Sequence, residues 1–284
     1  MLTPPSGLGL GFRYPHASTI LSEQPDVPWF ELIADELLCS AGRRSTAESL
    51  RRDYPVALHA VGMNIAGADP LDEDYLLQLR EQTEQLEAGW LSDHLCWSAN
   101  GKRQHFDLLP LPFSERQLSY VASRVAHVQE VIGRPLVLEN ISYYLRFEED
   151  DMSEWEFHAQ LCKSTGCEVL LDLNNLWSNA LNFSRNPEDD LRQALSILPS
   201  GSIRQIHLAG ASCQEGETPY WIDTHGEAVP DAVVELYIEV MRHLPDIPAI
   251  IERDNSLPDF EVMEQERQQL LDWSPIVEQE VTLA

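Results

Sequence analysis

The chain has 284 residues, enough for one large domain or two small ones, and 43% of them are hydrophobic, an ordinary share for a soluble globular protein. Lys plus Arg number 19 against 47 Asp plus Glu, and the net charge of −28 argues against nucleic acid and anionic membrane surfaces as partners, because both would be repelled. Five cysteines (Cys39, Cys96, Cys162, Cys167 and Cys213) include no C-x-x-C pair, which points to reduced thiols in a cytoplasmic protein rather than to a disulfide framework or a zinc ribbon.

No basic-apolar leader opens the chain, and no apolar run reaches membrane-spanning length. Gly7–Phe12 reads as a short strand with glycines; Pro15 and His16 follow where a dinucleotide fingerprint would open a helix. Trp29–Ile33 is a second strand, closed by Asp35 and Glu36, and Pro55–Ala60 is a third. A helix over Asp72–Ala88 sets Tyr75, Leu79, Thr83 and Leu86 on one face and stops at Gly89. Trp90–Leu95 is the fourth strand. Past Pro110 and Pro112, Ser114 with Gln117 fits a capping box that opens a helix striped by Leu118, Val121, Val125, Val128 and Ile132. Gly133 and Pro135 end it, and Pro135–Asn140 is the fifth strand.

The acidic run Glu148–Asp151 reads as a solvated loop. Ser153 with Glu156 makes a second capping box, and Gly166 stops that helix before the sixth strand, Glu168–Asp172. Asn174, Asn175, Asn179 and Asn182 crowd the loop that follows, either capping turns or hydrogen-bonding ligands and substrate. Asn186-Pro187 opens a helix, Ser202–Leu208 is the seventh strand, and Pro230 opens a helix to about His243. Pro248–Asp254 is the eighth strand. The last helix begins at Pro258 with Val262, Leu270 and Leu271 facing inward, and residues 274–284 form a peripheral tail. Eight strands, most of them separated by a helix, predict a single-domain (β/α)8 TIM barrel with its core at about residues 7–273.

Six of the apolar runs deliver His59, His94 (with Asp93 beside it), Glu139, Asp172, His207 and Glu252 at their C-terminal ends, the face on which such barrels carry active sites. A carboxylate closing a buried run is costly unless a cation or hydrogen bonds compensate it. Asp223 and His225 share the segment Asp-Thr-His-Gly and point the same way if it is extended. Four imidazoles and four carboxylates suit Fe(II), Mn(II) or Zn(II) better than a thiolate-loving metal, and they are too many for one ion. The central Glu139 is the natural bridge between two ions, with Asp223 and His225 available to a third. His127, His158 and His243 fall on helices away from that face, and His16 and His105 in loops on or near it; all five read as structural. Trp97 and Trp177 either pack the barrel mouth or line a peptide groove.

Taken together, these stretches resemble the DUF692 (UPF0276) family of multinuclear non-heme iron-dependent oxidative enzymes, which includes the methanobactin biosynthesis iron enzyme. The matching motifs are Gly-Leu-Gly-Phe-Arg near the start, Leu58-His-Ala-Val-Gly62, Ser92-Asp-His94, Leu138-Glu-Asn140, Asp172-Leu-Asn-Asn175, Ile206-His-Leu-Ala-Gly210, Asp223-Thr-His-Gly226 and Glu252-Arg-Asp254 before Leu257-Pro258. Each is weak alone; eight in order are specific and span nearly the whole chain. The resemblance implies a TIM barrel with two or three irons, for which manganese or zinc could substitute. It also implies O2-dependent modification of cysteines in a ribosomally made precursor peptide, and a small partner protein that presents the peptide.

Carried over by motif, His59, His94 and Glu139 hold one iron, Glu139, Asp172, His207 and Glu252 its neighbour, and Asp223 with His225 belong to a third position. Glu139, Asp172 and His207 are the expected catalytic residues, with Asp93, Asn140, Asn174, Asn175, Asn179 and Asp254 supporting the ligands or facing the substrate. The chain departs from the family pattern at Asp35-Glu36, where Glu-Asn is usual, and at Ala211, where His is usual. The main alternative is a two-metal sugar isomerase or epimerase that needs no O2. A three-zinc apurinic-site endonuclease would require a basic face, at odds with the charge of −28. A silent peptide-binding scaffold would leave the ligand residues unexplained.

Overall fold

Eight parallel strands close into a barrel, in the neighbour order Leu8–Gly11, Ala249–Ile251, Ile203–Leu208, Glu168–Asp172, Val137–Glu139, Leu91–His94, Val56–His59 and Phe30–Ile33, the last pairing back onto the first. The structure, a computed structural model, describes residues 4–101, 103–216 and 219–281, with side chains at all of these but 104–106 and 274–281. In chain order the first half comprises β1 (Leu8–Gly11), a single 3-10 turn (Tyr14–His16), α1 (Ala17–Glu23), β2 (Phe30–Ile33), α2 (Ala34–Cys39), α3 (Ala41–Asp53), β3 (Val56–His59), α4 (Glu73–Gln85) and β4 (Leu91–His94). There follow β5 (Trp97–Asn100), β6 (Arg103–Leu109), α5 (Glu115–Ile132), β7 (Val137–Glu139), α6 (Glu154–Thr165), β8 (Glu168–Asp172), α7 (Leu173–Asn182), α8 (Pro187–Ile197) and β9 (Ile203–Leu208). The chain then runs through β10 (Gly210–Gln214), β11 (Tyr220–Glu227), α9 (Asp231–His243), β12 (Ala249–Ile251) and α10 (Phe260–Val281). The hairpins β5-β6 and β10-β11 stand outside the barrel as antiparallel pairs.

All eight expected strands are present, and their side chains alternate between the helical shell and the barrel interior. Trp29, Ala57, Trp90, Val137, Leu170 and Ile250 form a separate apolar cluster inside the barrel. Burying those faces, two of them indoles packed edge-to-face at 5.4 Å, stoppers the cylinder from below. Gly9 makes room for it: a Cβ there would stand 2.5 Å from the Trp29 carbonyl and 2.8 Å from its indole nitrogen. Two residues further along the strands come Glu31, His59, Ser92, Glu139, Asp172 and Glu252, all buried. The alternation that stacks apolar plugs in one layer therefore stacks polar groups in the next, at the C-terminal end.

Local signals set most helix ends. Ser153 and Glu156 form the full capping box, and Gly166 takes φ 73° at the end of α6. Ser114 accepts from the Gln117 N–H, whereas no reciprocal bond from Gln117 is present, so only half of the expected box forms. α4 ends at Gln85, with Glu87 at φ 44°, rather than at Gly89. Gly89 instead leaves space for Pro5, which a Cβ would approach to 2.7 Å. Along α10 it is Phe260, Met263 and Leu270 that are buried; Val262 is 48% exposed, a correction to the inward stripe expected there. The helix continues to Val281, and residues 282–284 of the expected tail lie outside the described residues.

Two segments outside the expected strands and helices, the first expected as a loop, are regular. The asparagine-rich stretch after β8 is the helix α7, capped by Asp172 itself, and the Asp223–His225 segment lies in β11. Among the described residues, no helix is long and apolar enough to cross a membrane.

Candidate metal centre

Strand register brings the ligand-type residues together. His94 on β4 is paired with Glu139 on β7, and Asp172 on β8 with His207 on β9. The Nε2 atoms of His59 and His94 stand 3.3 Å apart, and each is 3.5 Å from Glu139 Oε2. Ser92 Oγ donates to the Leu58 carbonyl at 3.3 Å, so the 2.9 Å contact with His59 is made by His59 Nδ1–H donating to that hydroxyl. The His59 Nε2 that faces His94 and Glu139 is then bare. His94 is aimed by Asp93, whose Oδ1 accepts the His94 backbone N–H at 2.6 Å and whose Oδ2 accepts that of Met63 at 3.0 Å.

A second group surrounds His207. Its Nδ1 lies 3.0 Å from Glu252 Oε2, 3.7 Å from Glu139 Oε2 and 3.9 Å from Asp172 Oδ2. Asp172 Oδ1 is taken by the Asn175 N–H at 2.6 Å as the cap of α7, which leaves Oδ2 facing the cluster. Asn140 and the Asp172 backbone exchange two hydrogen bonds at 2.9 and 3.0 Å, and Asn175 donates to Glu139 Oε1 at 3.4 Å. Arg13 reaches across from the end of β1 to donate to Glu252 Oε1 at 3.0 Å and to Asp254, which turns Glu252 Oε2 toward His207 and His225.

The third group rests on the β10-β11 hairpin. His225 lies between two carboxylates, with Nδ1 3.0 Å from Asp254 Oδ2 and Nε2 only 2.6 Å from Asp223 Oδ1. Asn174 donates to the same Asp223 oxygen at 2.6 Å. His225 is at φ 46°, and its carbonyl is held by the N–H groups of Asp254 and Asn255 at 2.9 and 3.3 Å. The two side chains meet through this kink rather than through the extended alternation expected from their spacing.

All eight expected ligands thus lie in one connected cluster. Asp93, Asn140, Asn174, Asn175 and Asp254 brace it, whereas Asn179 ties down the segment after β7 through Tyr143 N at 2.8 Å and the Ile141 carbonyl at 2.9 Å. Two contributors escaped the sequence reading: Arg13, and Glu31, whose Oε1 is 2.9 Å from His207 Nε2. Both were visible in principle, Arg13 as the end of the Gly-Phe-Arg motif and Glu31 as a lone carboxylate inside an apolar strand. Asp35 and Glu36 lie outside the cluster; Asp35 accepts from Val61 N and the Tyr75 hydroxyl, and Glu36 pairs with Arg43. Of the other histidines, His16 is tied to the Pro258 carbonyl and His127 to Glu73, His158 is buried on α6, and His243 faces Glu239. The side chain of His105 lies outside the described residues.

The donor set fits metal ions. Glu139 Oε2, Asp172 Oδ2, both ring nitrogens of His207 and His225 Nε2 are buried without a hydrogen-bond partner. Orphaned buried acceptors facing one another at 2.6–3.9 Å are unstable unless protons or cations sit among them. Four groups have ligand atoms close enough to share an ion: His59 with His94 and Glu139; Glu139 with Asp172 and His207; Glu31 with His207 and Glu252; and Asp172 with His225 and Glu252.

In the absence of metal, burial pushes Glu139 up to about 7 against the pull of His94 and His207, and burial with the Glu139 and Asp223 charges pushes Asp172 well above the carboxylate range. Burial presses His94 down, but Glu139 and Asp93 outweigh it and carry it up to about 9. Burial, with His94 and His207 adding to it, holds His59 well below the usual imidazole value. Protons therefore compete with metal at His94 and Glu139. Affinity should rise as pH increases from about 7 to about 9, by about tenfold per unit for each proton displaced. Metal titrations across this range in buffers of different ionisation enthalpy would read both the slope and the released protons; a pH-independent affinity would contradict it.

Above the cluster opens a cavity of about 920 Å³ walled by Val61, Leu108, Tyr144, Phe183, Tyr220 and Ile222, with His59, His94, Glu139, Asp223, His225 and Glu252 at its floor. Tyr144 and Tyr220 stand edge-to-face at 6.2 Å on its rim. Trp177 packs against Trp221 instead, at 4.5 Å, and Trp97 lies half-buried in β5, so neither lines this cavity.

A family model described as RiPP precursor modification enzyme MbnB/TglH/ChrH matches residues 7–273. A UPF0276 protein of Anaeromyxobacter sp. (strain Fw109-5) is 43% identical over 261 residues, 92% of this chain and 90% of its own. Another, from Acaryochloris marina (strain MBIC 11017), is 38% identical over 268 residues, 94% and 95% of the two chains. Endonuclease IV from Thermus thermophilus superposes with a TM-score of 0.61 at 14% identity, covering 98% of this chain and 100% of that one. An L-ribulose 3-epimerase does so with a TM-score of 0.63 at 14% identity, covering 99% and 98%. At such identities the two structures speak to the barrel alone.

Proposed function

Since the chain belongs to the MbnB/TglH/ChrH family of RiPP precursor modification enzymes, we propose that it is a multi-iron, O2-dependent oxidase or oxygenase acting on cysteine residues of a ribosomally made precursor peptide. The observation that carries this reading is the convergence of buried, hydrogen-bond-orphaned nitrogen and carboxylate ligands on Glu139 at the floor of an open cavity. His59, His94 and Glu139 would hold one ion; Glu139, Asp172, His207 and Glu252 a second; Asp223 and His225, beside Asp172 and Glu252, a third. Bound iron would supply the redox chemistry of O2 and thiolate that no side chain here can perform.

The chain's own residues do the rest. The indole layer beneath the ligands keeps water from entering below. Ser92, Asp93, Asn175 and Arg13 orient the ligands before any substrate arrives. Val61, Leu108, Tyr144 and Tyr220 wall a mouth of the size and mixed character that accepts a short peptide segment, and the charge of −28 favours a neutral or basic one. A small partner protein that delivers the peptide belongs to the same reading.

The test is anaerobic purification with metal quantification, followed by O2 exposure with cysteine-containing and serine-substituted peptides. The expected result is O2 consumption and a mass change confined to the cysteine peptide. Isomerisation of a sugar in the absence of O2 would favour the epimerase reading, which has only the shared barrel behind it.

A further inference from the structure

We propose that Cys162 and Cys167 form a peroxide-oxidisable dithiol at the N-terminal end of the barrel, in which Cys167 is attacked first and Cys162 closes the disulfide. The inference is independent of the metal centre. All five cysteines are free thiols, and these two stand with their Sγ atoms 3.8 Å apart. A disulfide bond is about 2.05 Å long, so the sulfurs need approach by less than about 2 Å. The turn between α6 and β8 builds this meeting. Cys162 lies in the last turn of α6, Gly166 takes φ 73° and returns its N–H to the Cys162 carbonyl at 2.8 Å, and Cys167 immediately precedes β8. Thr165 Oγ1 accepts the Cys167 N–H at 3.2 Å and donates to the Leu161 carbonyl at 2.8 Å. Gln129 of α5 donates to the Thr165 carbonyl at 2.8 Å and accepts the Leu136 N–H at 3.0 Å, which fixes the turn against the preceding unit. The pair is not a fragment of a metal site: neither cysteine belongs to any group of three ligand-type side chains among the described residues. Asp172 ends the same strand, about 16 Å further along at about 3.3 Å per residue.

The two sulfurs are not equivalent. Cys162 stands at a helix C-terminus, whose partial negative charge opposes another on the sulfur. The contact with Cys167, then burial, pushes the Cys162 thiol up, whereas the hydrogen bond from Cys162 holds Cys167 below the ordinary thiol value against burial. The thiolate therefore forms on Cys167. It attacks one oxygen of hydrogen peroxide: the S–O bond forms, the O–O bond breaks, and the leaving hydroxide takes the Cys162 proton and becomes water. The Cys162 thiolate then attacks the Cys167 sulfenic sulfur. The S–S bond forms, the S–O bond breaks, and the departing hydroxide picks up the proton that Cys167 first released to solvent. Two thiols and one peroxide give one disulfide and two waters, the sulfurs losing the two electrons that the peroxide gains. Both side chains are buried, at 7% and 3% exposure, beneath a turn whose Lys163, Ser164 and Gly166 are exposed. That cover favours an oxidant as small as peroxide over a bulky disulfide.

The chain carries its own readout. Lys163 separates the two cysteines, so trypsin leaves Cys162 in the peptide 147–163 and Cys167 in the peptide 164–185, with no other cysteine in either. Full-length protein is exposed to graded hydrogen peroxide in a buffer with excess chelator, its remaining thiols are alkylated on unfolding, and the digest is mapped by mass spectrometry. The expected product is the linked pair, lighter than its two reduced parts by about 2 Da, rising with peroxide and lost on reduction with dithiothreitol. In Cys162→Ser, dimedone should label Cys167 as its sulfenic acid; in Cys167→Ser, Cys162 should stay alkylatable at the same dose. The exposed Cys39 and Cys213 report that the oxidant was active. Their oxidation with no linked pair in wild type overturns the proposal. So does dimedone on Cys162 in Cys167→Ser with none on Cys167 in Cys162→Ser, because the order of attack would be reversed. Should a variant fail to fold by circular dichroism, dimedone trapping at short times on wild type reads the same order.

Discussion

A Glu139→Gln substitution should empty the centre while leaving the barrel folded. Glu139 Oε2 is the atom that His59 Nε2 and His94 Nε2 approach to 3.5 Å and His207 Nδ1 to 3.7 Å, so two groups of ligands depend on it. Asn175 donates to the other oxygen at 3.4 Å, which holds the amide oxygen of the new side chain on that side. The NH2 then takes the place of Oε2 and donates to nitrogens that must be bare to bind metal. Affinity should fall by more than about 100-fold, beyond the range seen for losing a supporting contact alone. Turnover with a cysteine peptide should fall with it. Metal analysis on the anaerobically reloaded variant checks the first part, and an active, loaded variant would refute the bridging role of Glu139.

Asp172→Asn should separate metal binding from folding. Asp172 has two duties carried by two oxygens: Oδ1 caps α7 through the Asn175 N–H at 2.6 Å, and Oδ2 faces the cluster without a partner. Asparagine caps a helix about as well as aspartate, so stability of the metal-free protein should change by less than about 0.5 kcal/mol, whereas Asp172→Ala loses the cap at about 1 kcal/mol. The metal-free comparison is fair because burial, Glu139 and Asp223 push this carboxyl well above the carboxylate range, toward the uncharged form that an amide resembles. Thermal melts of chelator-treated protein alongside metal counts would test it. A destabilisation matching that of Asp172→Ala, or undiminished loading, would contradict the division of labour.

The barrel was legible because its strands are short apolar runs punctuated by Gly, Pro and helix caps, and a run with a polar terminus is hard to mistake. The same rule found His59, His94, Glu139, Asp172, His207 and Glu252, each within one residue of a strand's last. Glu31 was missed for a reason of register. It stands in the middle of Trp29–Ile33, so a search for terminal residues passes it, although it follows Trp29 by two as Glu139 follows Val137 and Asp172 follows Leu170. Counting layers rather than strand ends would have included it. α7 was hidden by composition: asparagine favours turns and caps, and only tertiary partners such as the Trp221 backbone, which exchanges two bonds with Asn182 at 2.7 and 2.9 Å, settle it as helix. The left-handed kink at His225 carries no signal in Asp-Thr-His-Gly, since it is imposed by Asp254 and Asn255 from a distant segment.

The β10-β11 hairpin bears on how the protein must be handled. His59, His94 and Glu139 are cemented into barrel strands, whereas Asp223 and His225 ride on a two-stranded flap tethered through Asn182, Asn174 and Asn255. Occupancy would then be layered by lability: mild chelation or dilution empties the flap position first, and the strand-built position empties only when the cylinder itself loosens. Preparations with different histories would carry different numbers of ions on identical polypeptides.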